Sequence, residues 1–86
     1  MNNQEMTIFE KVLQIIRNYS DKEIGETIDM DYPLADFSIT SIKFIKIIID
    51  IETEFVIEFD IDDIDIEKFA TIGDLVRYIQ NIKKTV

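Results

Sequence analysis

Residues 34–42 read Leu-Ala-Asp-Phe-Ser-Ile-Thr-Ser-Ile, a stretch of turn-forming and polar residues that leads directly into an apolar helical pattern. Thr40 and Ser41 lie at this junction, and either hydroxyl can cap the first turn of the helix by accepting a backbone N–H. A serine in such a position is usually a cap. The stretch therefore predicts a helix that begins at Thr40 or Ser41 with an exposed hydroxyl at its start.

The helix that follows is predicted to be buried on more than one side. A segment so rich in β-branched isoleucine is also compatible with a strand, but its length and its regularly spaced charges favour a helix. We expect one stripe of this helix to face the core, formed by Ile42, Ile45, and Ile48 or Ile49. Further apolar side chains widen that stripe, namely Phe44, Ile47 and Ile51.

Two more amphipathic helices are predicted, one on each side of this segment. The first spans roughly residues 6–19, with an apolar face formed by Phe9, Val12, Leu13, Ile16 and Tyr19. The last opens at Thr71, and Asp74 three residues later has the spacing for reciprocal capping. Its core stripe consists of Ile72, Leu75, Val76, Ile79 and Ile82.

The connecting segments complete a predicted fold. Residues 20–38 contain Gly25 and Pro33 without a sustained period, and we expect apolar side chains to pin them to the core: Ile24, Ile28, Met30, Tyr32 and Leu34. Residues 56–69 predict a brief helix or turn. The fold class is therefore all-α, a small antiparallel bundle of three longer helices plus one short helix. A long loop separates helices 1 and 2, and residues 1–86 form a single domain.

The composition excludes several classes of function. The 86 residues include neither cysteine nor histidine, which removes disulfides, thiolate metal sites and the commonest general base. A self-contained hydrolase or a zinc centre is therefore not expected. The N-terminal residues lack a signal-peptide pattern and the apolar runs are too short to cross a bilayer, which predicts a cytoplasmic location without membrane insertion.

The charge is strongly acidic and unevenly distributed. Eighteen acids oppose nine bases, for a net charge of −9. Residues 20–70 hold fifteen of the acids, whereas residues 71–86 are basic. Such a surface repels nucleic acid and attracts basic protein patches, although acidity also serves plain solubility.

Three motifs resemble one known family. Residues 34–42 resemble the prosthetic-group attachment site of acyl and peptidyl carrier proteins, whose usual form is Leu-x-Asp/Glu-Leu-Gly-x-Asp-Ser-Leu. Residues 52–59 are similar to the end of that family's second helix, and residues 69–79 to its final helix. The resemblance covers most of residues 5–84 and implies a carrier, not an enzyme.

The resemblance also implies the site. Ser41 would carry a covalent 4′-phosphopantetheine from coenzyme A, attached by a phosphopantetheinyl transferase. Other implied partners are acyl- or aminoacyl-loading and condensing enzymes, with the carrier acting as a monomer. Thr40, Ile42, Lys43 and Lys46 would contribute to partner recognition.

This chain departs from the family pattern at three positions. Thr40 stands where the family usually has aspartate, which bears on recognition by the transferase. Ser38 and Val56 stand where glycine is common. The valine predicts that its turn needs no left-handed residue.

Three interpretations of the function remain at this point. Lys43 and Lys46 after the serine are similar to peptidyl carriers, which favours nonribosomal peptide or polyketide-type synthesis over fatty-acid synthesis. The competing class is an acidic helical adaptor that only docks a protein partner. A calcium-binding module is a distant third, because the acidic residues 60–65 lack the glycine of a calcium loop and Thr71 occupies the position of its last glutamate.

Overall fold

The computed structural model describes residues 3–20 and 28–84, and within these ranges the fold is helical without a strand. Three α-helices span Asn3–Tyr19 (α1), Ser41–Phe55 (α2) and Ile72–Lys84 (α3). Three short 3₁₀ turns lie at Leu34–Phe37, Ile61–Asp63 and Ile66–Lys68. The predicted all-α bundle is confirmed, with two 3₁₀ turns in place of one short helix. In the described ranges, none of the helices is long and apolar enough to cross a membrane.

Helix α1 packs against both other helices. Tyr19 at its end donates a hydrogen bond to Asp50 of α2, and Lys11 further back forms an ion pair with Glu54 at 3.2 Å. Later residues of α1 therefore lie beside earlier residues of α2, so the two helices are antiparallel. Lys11 and Lys83 both lie within 6 Å of the Phe55 ring centroid, which places all three helices around that ring.

One core runs through the bundle, and its members come from the three α-helices, the first 3₁₀ turn and the connecting segments. The buried apolar side chains are Ile8, Val12, Ile16, Ile28, Leu34, Phe37, Phe44, Ile47, Ile48, Ile51, Phe59, Phe69, Ile72, Leu75, Val76 and Ile79. The predicted face of α3 is confirmed, with Ile82 half-buried. In α1 the buried face is centred on Ile8, Val12 and Ile16, so that Phe9, Leu13 and Tyr19 lie at its margin.

The predicted core stripe of α2 is wrong at Ile42 and Ile45, and of the two alternatives at its end only Ile48 is buried. Ile42, Ile45 and Ile49 are 69%, 47% and 52% exposed, whereas the buried side chains are Phe44, Ile47, Ile48 and Ile51. The residues expected only to widen the stripe thus form most of the core face. Isoleucine occurs on both sides of this helix, so apolar spacing alone does not define which side is buried.

The connection before α2 is fastened to the start of α3. Ile28 and Leu34 are buried as predicted, Met30 and Tyr32 are half-buried, and Ile24 lies outside the described residues. The Gly73 N–H donates to the Met30 carbonyl at 2.8 Å. A Cβ at Gly73 would lie 2.7 Å from that same oxygen, so the close approach requires glycine.

The turn after α2 contradicts a second expectation. Val56 adopts φ 53° and ψ 52°, a left-handed conformation, although the valine predicted a turn without one. The Ile57 N–H donates to the Glu52 carbonyl at 3.1 Å, and the Glu52 carboxylate accepts the Phe59 N–H at 2.8 Å. These bonds form a Schellman-type helix end that outweighs the preference of a β-branched residue for negative φ.

Candidate functional site

The loop that leads to Ser41 is held at both of its sides. Leu34 and Phe37 of the first 3₁₀ turn are fully buried. The Ser20 hydroxyl at the end of α1 donates to the Phe37 carbonyl at 2.9 Å, and the Leu34 N–H donates to the Ala70 carbonyl at 3.0 Å. The segment before α2 is thereby fixed against both α1 and the start of α3.

A left-handed residue then redirects the chain toward α2. Ser38 has φ 57° and ψ 46°, and its N–H donates to the Ala35 carbonyl at 3.2 Å. Serine thus adopts at this position a conformation that glycine reaches without steric cost. Ile39 follows as a half-buried residue, so the chain enters α2 from a packed position.

Thr40, not Ser41, is the N-cap of α2. Its backbone is extended, and its hydroxyl accepts the Lys43 N–H at 3.2 Å. Ser41 is the first residue of the helix and is exposed. Because the neighbouring threonine serves as the cap, the Ser41 hydroxyl is left at the surface where another molecule can reach it.

The electrostatics at this helix start favour an anion. The first turn of α2 contains no acidic residue, so nothing in that turn neutralises the partial positive charge of the unpaired N–H groups. Lys43 is half-buried and Lys46 is exposed. A phosphodiester on Ser41 would therefore lie beside a positive helix end.

The opposite side of α2 is tied to α1 through Tyr19 and Asp50. The hydrogen bond to Asp50 raises the pKa of the Tyr19 hydroxyl, and desolvation and the negative charge of Asp50 add to the effect. This contact lies more than two turns beyond Ser41. It orients α2 without occupying its N-terminal end.

The predicted recognition residues share one end of α2 but not one face. Thr40, Ser41 and Ile42 are consecutive and exposed, and Lys46 lies on the same exposed side. Sequence reasoning missed Ile45 and Ile49 as surface residues, because it assigned them to the core. In the first half of the helix the charged residues Lys43 and Lys46 indicated an exposed side, but they lie on either side of Ile45 and do not separate it from the buried positions.

The acidic residues 60–65 serve local structure. Asp60 and Asp65 each cap a 3₁₀ turn, accepting the N–H of Asp62 and Glu67 at 3.0 Å. Asp63 accepts a hydrogen bond from the Tyr78 hydroxyl at 2.9 Å. Among the side chains in the described ranges, no group of three or more potential metal ligands converges.

Comparisons with known proteins identify the class to which this fold and site belong. Residues 7–79 match the model of the phosphopantetheine attachment site family. The acyl carrier protein of Thermotoga maritima is 32% identical over 73 residues, covering 85% of this chain and 88% of that protein. The acyl carrier protein of Lactococcus lactis subsp. cremoris is 35% identical over 78 residues, covering 91% of this chain and all of that protein.

The chain therefore belongs to the family of phosphopantetheine-binding carrier proteins. It is a carrier and not a catalyst. The prosthetic group of the family is covalently attached 4′-phosphopantetheine, and its partners include phosphopantetheinyl transferases and acyl-handling enzymes.

Proposed function

We propose that Ser41 is the attachment point of the 4′-phosphopantetheine arm. The observation that carries this proposal is the position of Ser41, which is exposed at the first residue of α2 inside the matched range 7–79. The arm supplies a thiol on which biosynthetic intermediates are held as thioesters. The chain acts as a scaffold for enzymes that process that cargo.

The surrounding residues fit a phosphodiester at this position. Thr40 caps the helix and leaves the adjacent hydroxyl available, and the start of α2 stabilises negative charge. The chain contains no histidine and the first turn of α2 contains no acid, which supports a transferase that supplies the base that activates Ser41. The role of the carrier is to present the hydroxyl in a fixed place.

Recognition is proposed to centre on Thr40, Ile42, Lys43 and Lys46. The two lysines in the first half of α2 support a specialised carrier for nonribosomal peptide or polyketide-type synthesis, rather than one for fatty-acid synthesis. Basic residues this close to the arm oppose enzymes that expect an acidic second helix.

We also propose that residues 1–86 act as one domain and as a monomer, because a net charge of −9 repels a second copy. The cytoplasmic location stays a prediction.

The direct test is intact mass after co-expression with a phosphopantetheinyl transferase of broad specificity. The parent should gain the mass of one phosphopantetheine. Ser41→Ala should gain none, and Ser38→Ala is the matched control because it removes an exposed hydroxyl three residues away. Modification of Ser41→Ala would reject the site, and failure of every transferase tried would favour the acidic adaptor.

A further inference from the structure

Two hydrogen bonds join the end of α1 to the chain on either side of Ser41. The Ser20 hydroxyl donates to the Phe37 carbonyl at 2.9 Å, and this carbonyl lies four residues before the serine. The Tyr19 hydroxyl donates to the carboxylate of Asp50, nine residues after the serine. We call these two bonds the α1 tethers. Both donors are half-buried, and both bonds link residues that are far apart in the sequence.

The donors of the α1 tethers rest on a buried base. Tyr19 is the last residue of α1, and the Ser20 N–H extends the helical bonding by donating to the Ile16 carbonyl at 3.0 Å. Ile16 is fully buried in the core. Because the two donors are consecutive, any shift of this helix end displaces both tethers together. The end of α1 is therefore a common reference for the loop before Ser41 and for the helix after it.

The reaction at Ser41 depends on the direction of its hydroxyl. The serine oxygen forms a bond to the pantetheine-bearing phosphorus of coenzyme A, and the pyrophosphate bond of coenzyme A breaks. Adenosine 3′,5′-bisphosphate leaves, and the serine proton passes to a base of the transferase. The attacking and leaving oxygens must lie roughly in line at the phosphorus. A hydroxyl that is exposed but wrongly oriented therefore reacts slowly.

The distance from Asp50 to Ser41 makes this orientation sensitive to the tilt of α2. At a rise of about 1.5 Å per residue, Asp50 lies about 14 Å along the helix axis from the serine. A tilt of about 10° around Asp50 would then move the start of the helix by about 2 Å, whereas a misplacement of about 1 Å can cost about a hundredfold in rate. Apolar packing has no fixed direction, but a hydrogen bond constrains both distance and angle.

We propose that Tyr19 and Ser20 are positioning residues for the transfer of phosphopantetheine to Ser41. Ser20 holds the loop that enters α2, and Tyr19 holds the tilt of α2. Each acts on the serine through the segment to which its hydroxyl is bonded. This inference rests on the proposed attachment at Ser41 and adds two residues of α1 that set the rate of that attachment.

The test is single-turnover loading from coenzyme A with an excess of a phosphopantetheinyl transferase of broad specificity. The dependence on transferase concentration separates the rate within the complex from the half-saturating concentration. The variants are Y19F, S20A and Y19F/S20A, and S20T restores a hydroxyl. The matched control is T53A, because the Thr53 hydroxyl donates to the Ile49 carbonyl within α2 at 3.1 Å and is not part of either tether. Circular dichroism at the assay temperature establishes that each variant is folded.

We expect Y19F and S20A each to lower the rate within the complex about threefold, and Y19F/S20A to lower it about tenfold, as the loss of one and of two hydrogen bonds predicts. The half-saturating concentration should stay unchanged, because the transferase still docks while fewer complexes hold the Ser41 hydroxyl in line. S20T should return to within about twofold of the parent rate, again on the scale of one hydrogen bond. T53A should match the parent.

Four outcomes overturn the inference. The first is a parent-like rate within the complex for Y19F/S20A, whatever its melting temperature, since a merely structural role would lower only the stability. The second is a loss confined to the half-saturating concentration, which would assign the two residues to the docking surface. The third is an equal loss in T53A, and the fourth is S20T as slow as S20A. If Y19F/S20A is unfolded, the single variants decide by the same criteria.

End-point mass separates this inference from the proposed site. Complete loading of every folded variant, with none in Ser41→Ala, shows that the site is correct and leaves the rates to decide the roles of Tyr19 and Ser20. Absence of loading on the parent, or loading that persists in Ser41→Ala, rejects Ser41 as the attachment site, and this inference falls with it.

Discussion

The starts of α2 and α3 are both capped by a threonine, but only at α3 does a carboxylate accept further backbone N–H groups. At α3, the Thr71 hydroxyl accepts the Asp74 N–H at 3.2 Å, and the Asp74 carboxylate accepts the N–H groups of Ala70 and Thr71. At α2, the described contacts supply one cap bond from Thr40 and no carboxylate in the first turn. The Asp74 carboxylate thus neutralises the partial positive charge at the start of α3. The start of α2 retains its partial positive charge, and it lies beside an exposed serine.

This difference separates a closed helix start from an open one. Arg77 donates to Asp74 at 3.0 Å, so the start of α3 is a closed set of charges and hydrogen bonds. It also anchors the loop before α2 through the bonds to Met30 and Tyr32. The closed start of α3 thus holds the loop that leads to the open start of α2.

The largest effect is expected from Gly73→Ala. The added Cβ would meet the Met30 carbonyl oxygen, a backbone atom, at 2.7 Å. We expect the free energy of unfolding to fall by about 1–3 kcal/mol, because the loop and α3 must separate. Chemical denaturation measures it, with Gln80→Ala in the same helix as control. Equal stability of the two variants would show that this close approach does not hold the loop.

Asp74→Asn should weaken the closed helix start. The substitution removes the negative charge that accepts hydrogen bonds from Ala70, Thr71 and Arg77. We expect the free energy of unfolding to fall by about 1–2 kcal/mol at neutral pH. The matched control is Asp36→Asn, which neutralises an exposed acid outside α3. A larger loss for Asp36→Asn than for Asp74→Asn would contradict the assignment of the cap.

The effect of Asp74 should also depend on pH. Although burial acts to raise its pKa, the hydrogen bonds from Arg77 and from the Thr71 and Ala70 N–H groups, together with the positive charge of Arg77, lower it overall. A depressed carboxyl pKa stabilises the fold above the unfolded value of about 3.9, and this contribution is lost as the pH falls through the folded value. Denaturation of the parent and Asp74→Asn should therefore converge in acid.

The far end of α2 offers a gain in stability. Val56 is 88% exposed and left-handed, so Val56→Gly removes backbone strain and sacrifices little burial. The relief of backbone strain outweighs the greater entropic cost of ordering a glycine. We therefore expect the free energy of unfolding to rise by about 0.5–1 kcal/mol. Thermal unfolding measures it. Val56→Ala, which keeps the Cβ, should gain less, and a loss with glycine would contradict the left-handed assignment.

The smallest effect on stability is expected from Thr40→Ala. It deletes one exposed cap bond, which is worth about 0.5–1 kcal/mol. Denaturation of Thr40→Ala and Thr71→Ala side by side compares the two helix starts directly. Thr71→Ala should lower the free energy of unfolding more than Thr40→Ala does, because the Thr71 hydroxyl is part of the reciprocal cap with Asp74. The reverse order would remove the distinction between a closed and an open start.

Local patterns in the sequence were sufficient to predict the capped start of α3 and the family to which the chain belongs. Thr71 and Asp74 cap one another through neighbouring residues, so their spacing alone predicts the contact. The orientation of α2 was not predictable in this way. Isoleucine at 42, 45, 47, 48, 49 and 51 presents apolar side chains almost all round, and the buried side is chosen by packing against distant residues.

The Val56 turn was missed for a related reason. The residue type disfavours positive φ, but the hydrogen bonds of Ile57 and Phe59 to Glu52 impose it. Intrinsic preference is a local property, whereas the helix end is stabilised by several residues together. For the candidate site, the sequence predicted an exposed hydroxyl at the start of α2, while the contacts assigned the cap to Thr40.

The central claim is that the open start of α2 carries the prosthetic group on Ser41, and fragmentation of the modified peptide tests it most directly. Trypsin releases residues 23–43 as one peptide, and the aliphatic hydroxyls near the proposed site within it are those of Ser38, Thr40 and Ser41. After loading with coenzyme A, fragment ions should place the phosphopantetheine mass on Ser41. The same mass on Ser38 or Thr40, or on any other peptide, would contradict the account.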